Sequence, residues 1–189
     1  MLKLDLSKAY DKLNWCLLAE MLRAFGFHNH WVEWLLNLVS SVFFSILVNG
    51  TPAQPFASSR GIRQGYLLST FLFIIIAEGL GRMITAMRNT NQIQGLTLCE
   101  GLHPQTHQQF MDDTMLLELT SISEARGIKM GLITFLEANE LDINNEKSQV
   151  YFFNTPTITR RNILRILGFS EGKLSSKYLG APLAESTIK

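Results

Sequence analysis

The stretch that most limits what this chain can become is QQFMDDTMLL, residues 108–117. Phe110 and Met111 lead into Asp112 and Asp113, and Thr114, Met115, Leu116 and Leu117 follow, so an acidic tip is held between two apolar, β-compatible runs. The pattern predicts a hairpin, in whose tight turn Asp tolerates the backbone geometry and can direct its carboxylate outward. Adjacent carboxylates repel, and a site that keeps both ionised supplies a cation beside them. Hard oxygen ligands of this kind suit Mg²⁺, which binds through one or two carboxylates and leaves room for water and substrate phosphate. An ordinary polar turn has the same look and, judged alone, is the commoner source of an Asp-Asp pair. A third carboxylate in a matching setting separates the two readings.

Charge and cysteine content narrow the classes. Lys plus Arg number 17 against 16 Asp plus Glu, so no basic surplus announces a nucleic-acid binder and any recognition of phosphate has to be local. The 189 residues, 47% hydrophobic, suffice for one globular domain with a core. Cys16 and Cys99 lie far apart in apolar surroundings, which predicts buried free thiols and a reducing compartment rather than a disulfide frame or a zinc site. Lys3 and Asp5 interrupt the N-terminal stretch, so no signal peptide is read there. The most apolar run, Phe71 to Ala77, closes at Glu78 and falls short of the roughly 20 residues of a spanning helix. The expectation is an intracellular protein, nuclear or cytoplasmic, with no membrane partner. Asn49-Gly50-Thr51 fits a hairpin turn better than a glycosylation site.

Periodicity supplies the elements. MLKLDL alternates and predicts a strand with Asp5 near its end, running into a helix over Leu13 to Phe25 that Gly26 stops. A second amphipathic helix carries Trp31, Trp34, Leu35, Leu38 and Val39, whose aromatic positions read as core. Phe43 to Val48 and Gln54 to Phe56 predict two strands about an NGTP turn. Arg60, Gly61, Arg63, Gln64 and Gly65 form a polar loop ahead of a helix that begins at Leu68, and glycines beside arginines there let a phosphate or base approach the backbone. After a turn-rich connector, Asn89 to Pro104, and the acidic hairpin, Ser123 reads as the cap of a further helix. Lys147 precedes a strand over Gln149 to Phe153, a short helix spans Ile158 to Leu167, and KLSSKYLGAPL is β-like. With no regular βαβ rhythm and no dinucleotide fingerprint, the class is α+β.

Asp5 is the third carboxylate at the edge of an apolar strand. If its strand neighbours the acidic hairpin, the carboxylates converge at one end of a sheet. Such a set suits two metal ions about 3.5 to 4 Å apart and phosphoryl transfer to a primer hydroxyl. Positioning and charge neutralisation carry most of that chemistry.

KLDLSKAYDKLNW, SSRGIRQG with the hydrophobic helix ending AEGLGRMI, QQFMDDTMLL, LDINNEKSQVYF and KYLGAPL resemble, in the same order, the palm blocks of reverse transcriptases. The resemblance is nearest to plant non-LTR (LINE-type) retrotransposons and runs from Leu2 to Leu183. It implies a palm-like α+β fold, a small antiparallel sheet packed on helices, over residues 1–189 as a single domain. It further implies a fragment of a larger polymerase, with fingers and thumb incomplete. The implied activity is RNA-directed DNA synthesis with two Mg²⁺, or Mn²⁺, on an RNA or DNA template with its primer and dNTP. By the same resemblance Asp5, Asp112 and Asp113 are the catalytic metal set and Lys147 serves the departing pyrophosphate. Tyr10 gates the sugar against a 2′-hydroxyl, Arg63, Gln64 and Gly65 border the template and nucleotide, and Lys177, Tyr178, Leu179 and Gly180 form the primer grip.

Family members continue the loop as RQGDPLSP, whereas this chain reads RQGYLLST, with Tyr66 in place of an acid and Leu67 and Thr70 in place of prolines. These departures motivate the alternative expectation, a catalytically inactive retrotransposon remnant with at most weak nucleic-acid binding. A palm-type cyclase finds no supporting Gly-rich motif. The sequence leaves the oligomeric state open.

Overall fold

The structure is a computed structural model that describes residues 1–97, 101, 103–110, 113–118, 121–173, 177–178 and 181–182. Its elements divide between two compact units. The first comprises Met1–Ser7, Leu80–Phe135 and Ile143–Lys189, and the second Lys8–Gly79 and Leu136–Asp142.

The first unit is organised on strand β1, Leu2–Ser7, which lies between two antiparallel neighbours, β7 (Asp113–Leu116) and β9 (Gln149–Val150). Strand β6, His107–Phe110, pairs antiparallel with β7, and β10, Ser170–Glu171, adds in parallel to β9, for an order β10-β9-β1-β7-β6. Alternation along β1 sets its faces, with Leu2 and Leu4 buried while Lys3 and Asp5 are half-buried. Opposite them Leu116 and Thr114 are buried too, so one face of the β1–β7 ladder is committed to the core and its register is fixed by that burial.

Helices supply the rest of this core. The C-terminal part of α4 (Leu67–Asn89) contributes Leu80, Ile84 and Met87. Residues Ile128 and Leu132 come from α5 (Ile122–Asn139), and Ile163 and Leu167 from α6 (Thr157–Leu167). Helix α5 begins ahead of Ser123, which therefore stands inside its first turn, and the Ala125 N–H donates to the carbonyl of Ser121 at 3.1 Å. Strand β9 is shorter than its apolar sequence predicts: Tyr151 still donates its N–H to Met1 O, and the chain then bends at Phe153 and Asn154. A small apolar cavity of about 40 Å³ lies among Leu2, Leu116, Ile128 and Val150, and Glu118 reaches its wall. Burial pushes the Glu118 carboxyl up to about 7, the Gly95 N–H opposes that shift and the Glu124 charge adds to it. The Gly95 N–H donates to Glu118 Oε2 at 3.2 Å, while Oε1 is buried with no hydrogen-bond partner.

The second unit begins with α1, Ala9–Lys12, and α2, Trp15–Ala24. The helix predicted over Leu13 to Phe25 starts two residues later, at Trp15, and the one-turn helix α1 precedes it. The Leu13 carbonyl is taken by the Gly61 N–H at 2.8 Å, and Asn14 restarts the helix by accepting from the N–H groups of Cys16 and Leu17. Helix α3, Asn29–Ser40, packs on α2 and buries Val32, whereas Trp31 and Trp34 are 55% and 51% exposed. Those tryptophans were expected in the core. Both turn away from it and meet each other edge to face, centroids 5.4 Å apart. Cys16 is also exposed rather than buried, and Cys99 lies outside the described residues.

Two short hairpins follow α3. Strand β2 (Phe43–Phe44) pairs with β5 (Phe56–Ala57), and β3 (Leu47–Val48) pairs with β4 (Thr51–Pro52). The inner turn is Asn49-Gly50, both at positive φ, the combination that a type I′ turn requires. Helix α4 then starts at Leu67. Over its 23 residues it is the helix among the described residues long and apolar enough to cross a bilayer, by length and composition only. It forms from a longer stretch than the apolar run read in the sequence, and Leu72, Phe73 and Ile76 on it are buried in the protein. Strand β8, Asp142–Ile143, leads back toward β9. The last described strands, β11 (Lys177–Tyr178) and β12 (Ala181–Pro182), form a two-stranded antiparallel sheet of their own.

Candidate active site

Asp5 and Asp113 are Cα partners across the antiparallel ladder of β1 and β7. Directly opposed residues project to the same face, which places two carboxylates side by side at the end of the register, next to the β6–β7 connection. The hairpin forms where the sequence predicts it, but Asp113 opens β7 as the partner of Phe110 instead of sitting in the turn. Met111 and Asp112, which join the two strands, lie outside the described residues.

Like charges directly opposite each other are unfavourable, and the surroundings supply the compensation. Lys3 Nζ stands 3.5 Å from Asp113 Oδ1, and Lys147 Nζ stands 3.8 Å from Asp5 Oδ2. The Asp5 and Asp113 side chains retain 18% and 28% of their exposure, so both remain accessible to solvent. The backbone of Asp5 is fixed from the other flank. Its N–H donates to Ser148 Oγ at 3.0 Å and its carbonyl accepts from Asn144 N–H at 2.9 Å. Lys147 is presented by an Asx turn in which Asn144 Oδ1 accepts from the N–H groups of Glu146 and Lys147.

This donor set fits a hard divalent cation. It consists of carboxylate oxygens, open to water, whose mutual repulsion is already relieved by ammonium groups standing where positive charge is favoured. Among the described residues no three His, Cys, Asp or Glu side chains form a metal cluster, and Asp112 lies outside them.

Tyr10, Arg63, Gln64 and Gly65 belong to the second unit. The Ile62 N–H donates to Tyr10 O at 2.7 Å and Trp15 Nε1 donates to Gly61 O at 2.7 Å, so the loop carrying Arg60 to Gly65 is strapped to the segment that carries Tyr10. The Tyr10 ring stacks on buried Phe73 with centroids 4.6 Å apart and planes 15° from parallel. Arg63 donates to Tyr66 Oη at 3.2 Å and lies over its ring, 4.7 Å from the centroid. Tyr66, one of the departures from the family pattern, thereby orients Arg63. Leu67, another departure, is the first residue of α4, a position where proline is readily accepted but not needed. Of the expected primer grip, Lys177 and Tyr178 form β11, while Leu179 and Gly180 lie outside the described residues.

Lys3 and Ser148 were missed from sequence. Lys3 had a local signal, since it shares a strand face with Asp5 at i−2. Ser148 had none, because its contact with Asp5 spans 143 residues of chain.

A small sheet packed with helices in an α+β arrangement, with two carboxylates opposed across one ladder, is a polymerase fold. The telomerase of Candida albicans, solved in complex with a TWJ fragment of telomeric RNA, shares it at a TM-score of 0.60 and 15% identity, over 82% of this chain and 27% of that one. Residues 1–183 match the family model "Reverse transcriptase (RNA-dependent DNA polymerase)", and the chain belongs to that family. Two of its relatives are Pol polyproteins of R2 non-LTR retrotransposable elements. The Pol polyprotein of a type-2 retrotransposable element of Drosophila melanogaster is 32% identical over 43% of this chain and 8% of its own length. The Pol polyprotein of the type-1 retrotransposable element R2 of Popillia japonica is 22% identical over 86% and 25%. An uncharacterized mitochondrial protein of Arabidopsis thaliana is 27% identical over 62% of this chain and 95% of its own. The chain thus spans a small part of the Pol polyproteins and nearly the whole of the Arabidopsis protein.

Proposed function

We propose that this chain forms the palm-type catalytic part of an RNA-directed DNA polymerase, a single domain of a larger protein, that joins a dNTP to a primer 3′-hydroxyl on an RNA or DNA template. The observation that supports it most is the register that sets Asp5 against Asp113. In the reaction the primer 3′-oxygen forms a bond to the α-phosphorus, the bond to the bridging oxygen breaks, and pyrophosphate leaves while the hydroxyl proton passes to solvent. Two Mg²⁺, when bound, supply the charge that acidifies the hydroxyl and stabilises the leaving oxygen.

The chain's own residues hold and orient. Asp5, Asp112 and Asp113 supply the ligands, and Ser148 and Asn144 keep the backbone of Asp5 in place. Lys147, 68% exposed at its side chain, has the freedom to leave Asp5 and neutralise the pyrophosphate, or protonate it. Tyr10, its ring backed by Phe73, is a rigid surface against a 2′-hydroxyl. Arg63, Gln64 and Gly65 border the nucleotide and template, and residues 177–180 grip the primer.

The test pairs a primer-extension assay with a Mn²⁺ titration read by paramagnetic broadening of NMR resonances. Broadening centred on Asp5 and Asp113 that Asp5→Asn abolishes is expected, together with loss of any extension activity. Extension that survives Asp5→Asn, or a wild-type chain that neither binds Mn²⁺ there nor incorporates nucleotide, sinks the proposal and leaves the inactive-remnant reading.

A further inference from the structure

Lys3 occupies the central strand of the five-strand path β10-β9-β1-β7-β6, with Met115 of β7 opposite it on one side and Gln149 of β9 on the other. Lysine is poorly suited to a strand and is seldom enclosed, yet this side chain keeps only 21% of its exposure. Its ammonium reaches diagonally across the β1–β7 ladder, an offset that long side chains span, and stands 3.5 Å from Asp113 Oδ1.

Lys147, the cation beside Asp5, is held differently. It lies on a turn, 68% exposed at its side chain and 3.8 Å from Asp5 Oδ2. A cation arriving at Asp5 therefore meets a long side chain that is free to move off into water. Lys3 is confined by a strand on each side, so a cation arriving at Asp113 still has the Lys3 charge close by. The charges of Asp5 and Asp113 are balanced by those of Lys3 and Lys147, and Asp112, next in the sequence, adds one more negative charge. A set so near to neutral attracts a bare divalent cation weakly.

We infer that Lys3 sets the affinity of this face for a divalent cation. Its fixed ammonium keeps the opposed carboxylates ionised and assembled in the absence of metal, and the same charge holds metal affinity down. Lys3 is thus a positioning residue that acts through Asp113 and not a ligand itself. The balance keeps the face from holding a free cation tightly ahead of substrate. The inference rests on the reading of the Asp5–Asp113 face as a cation site, but Lys3 has no part in the proposed chemistry.

The experiment titrates Mn²⁺ into the whole chain without primer, template or nucleotide. Electron paramagnetic resonance reads the free ion, and broadening of NMR resonances locates the bound one. Lys3→Met and Lys3→Gln are expected to bind Mn²⁺ at Asp5 and Asp113 roughly 10-fold more tightly than wild type at low ionic strength. That is the scale of the repulsion between a divalent ion and one ammonium about 6 Å away in a water-like dielectric, and the gain shrinks as salt is raised. Lys3→Arg keeps the charge and the wild-type affinity. Lys147→Met changes the affinity far less, because that ammonium already moves away.

Weaker or unchanged binding in both neutral variants overturns the inference, and weaker binding would make Lys3 a support for Asp113 alone. So does unfolding of both neutral variants, seen as collapse of the amide spectrum, which would make Lys3 structural. A gain in Lys3→Arg or in Lys147→Met as large as that in Lys3→Met overturns it too. Absence of broadening at Asp5 and Asp113 in wild type and both neutral variants removes the inference together with the cation site. Because no nucleotide is in the assay, tighter binding by Lys3→Met in a chain that extends no primer sinks the catalytic reading alone. Extension by a chain whose Mn²⁺ affinity is indifferent to Lys3 sinks this one alone.

Discussion

Asp5 and Asp113 face each other across the β1–β7 ladder, and each has a lysine ammonium within 4 Å, Lys147 for the first and Lys3 for the second. The sheet brings like charges together, and a lysine on β1 and one in the turn before β9 set cations beside them. This arrangement spends stability on a local field.

Removing one charge therefore has little effect on folding. Asp113→Asn relieves the repulsion with Asp5 and also loses the Lys3 pair, terms of roughly 0–1 kcal/mol each and opposite in sign. Chemical denaturation is expected to place the variant within about 1 kcal/mol of wild type, while Mn²⁺ broadening at Asp5 weakens. A loss of several kcal/mol would mean that the carboxylate is structural.

Gly61 is a different kind of residue. Its φ is +85°, and a Cβ there would stand 2.5 Å from the backbone carbonyl oxygen of Asp11. Neither the left-handed backbone nor the close approach can be relieved by moving a flexible side chain. Gly61→Ala is expected to cost at least about 2 kcal/mol in urea unfolding. It should also loosen the straps to Leu13 and Tyr10, read as faster exchange of the Ile62 amide.

Glu118 makes stability depend on pH. Its carboxyl is raised from the ordinary 4.5 to about 7 by burial, so between those values the folded protein holds a proton that the unfolded chain does not. Its contribution is fully present below pH 4.5 and is lost as pH rises through 7. Because the side chain is partly open to solvent, the effect is discounted to roughly 1–2 kcal/mol. Glu118→Gln should be more stable than wild type at pH 8 and lose that advantage by pH 4.5. Denaturation midpoints across that range test it, and an advantage that grows at low pH would refute it.

Leu22 and Trp34 reverse what their sizes suggest. Leu22 is fully buried in α2 and Trp34 is 51% exposed on α3. Leu22→Ala should cost about 2–5 kcal/mol, and Trp34→Ala less than about 1 kcal/mol. Equal losses by thermal denaturation would show that α3 buries its aromatic face.

Much of the frame was readable without coordinates, since it follows from local rules. The alternation of Leu2 and Leu4 with Lys3 and Asp5 produced β1, Asn49-Gly50 produced its turn, and the apolar positions of α2 to α6 appeared at helical spacing. Where that reading failed, a distant partner had intervened. Leu13 stays outside α2, its carbonyl taken by the Gly61 N–H, and Trp31 and Trp34 are exposed because Val32 is on the face that packs. Spacing shows which residues share a side of a helix and not which side another element will cover.

The same division runs through the site. Composition and order alone determined that this chain carries carboxylates at strand edges and a glycine-arginine loop before a long apolar helix, because side-chain type and periodicity are properties of the chain itself. Only the tertiary structure decided that Asp5 opposes Asp113, that Ser148 holds Asp5 from 143 residues away, and that Phe44 and Phe56 share a cavity with Arg60. Those are outcomes of strand register and loop closure, set by burying one face of β1 and satisfying backbone groups far apart in sequence, and no local pattern encodes them.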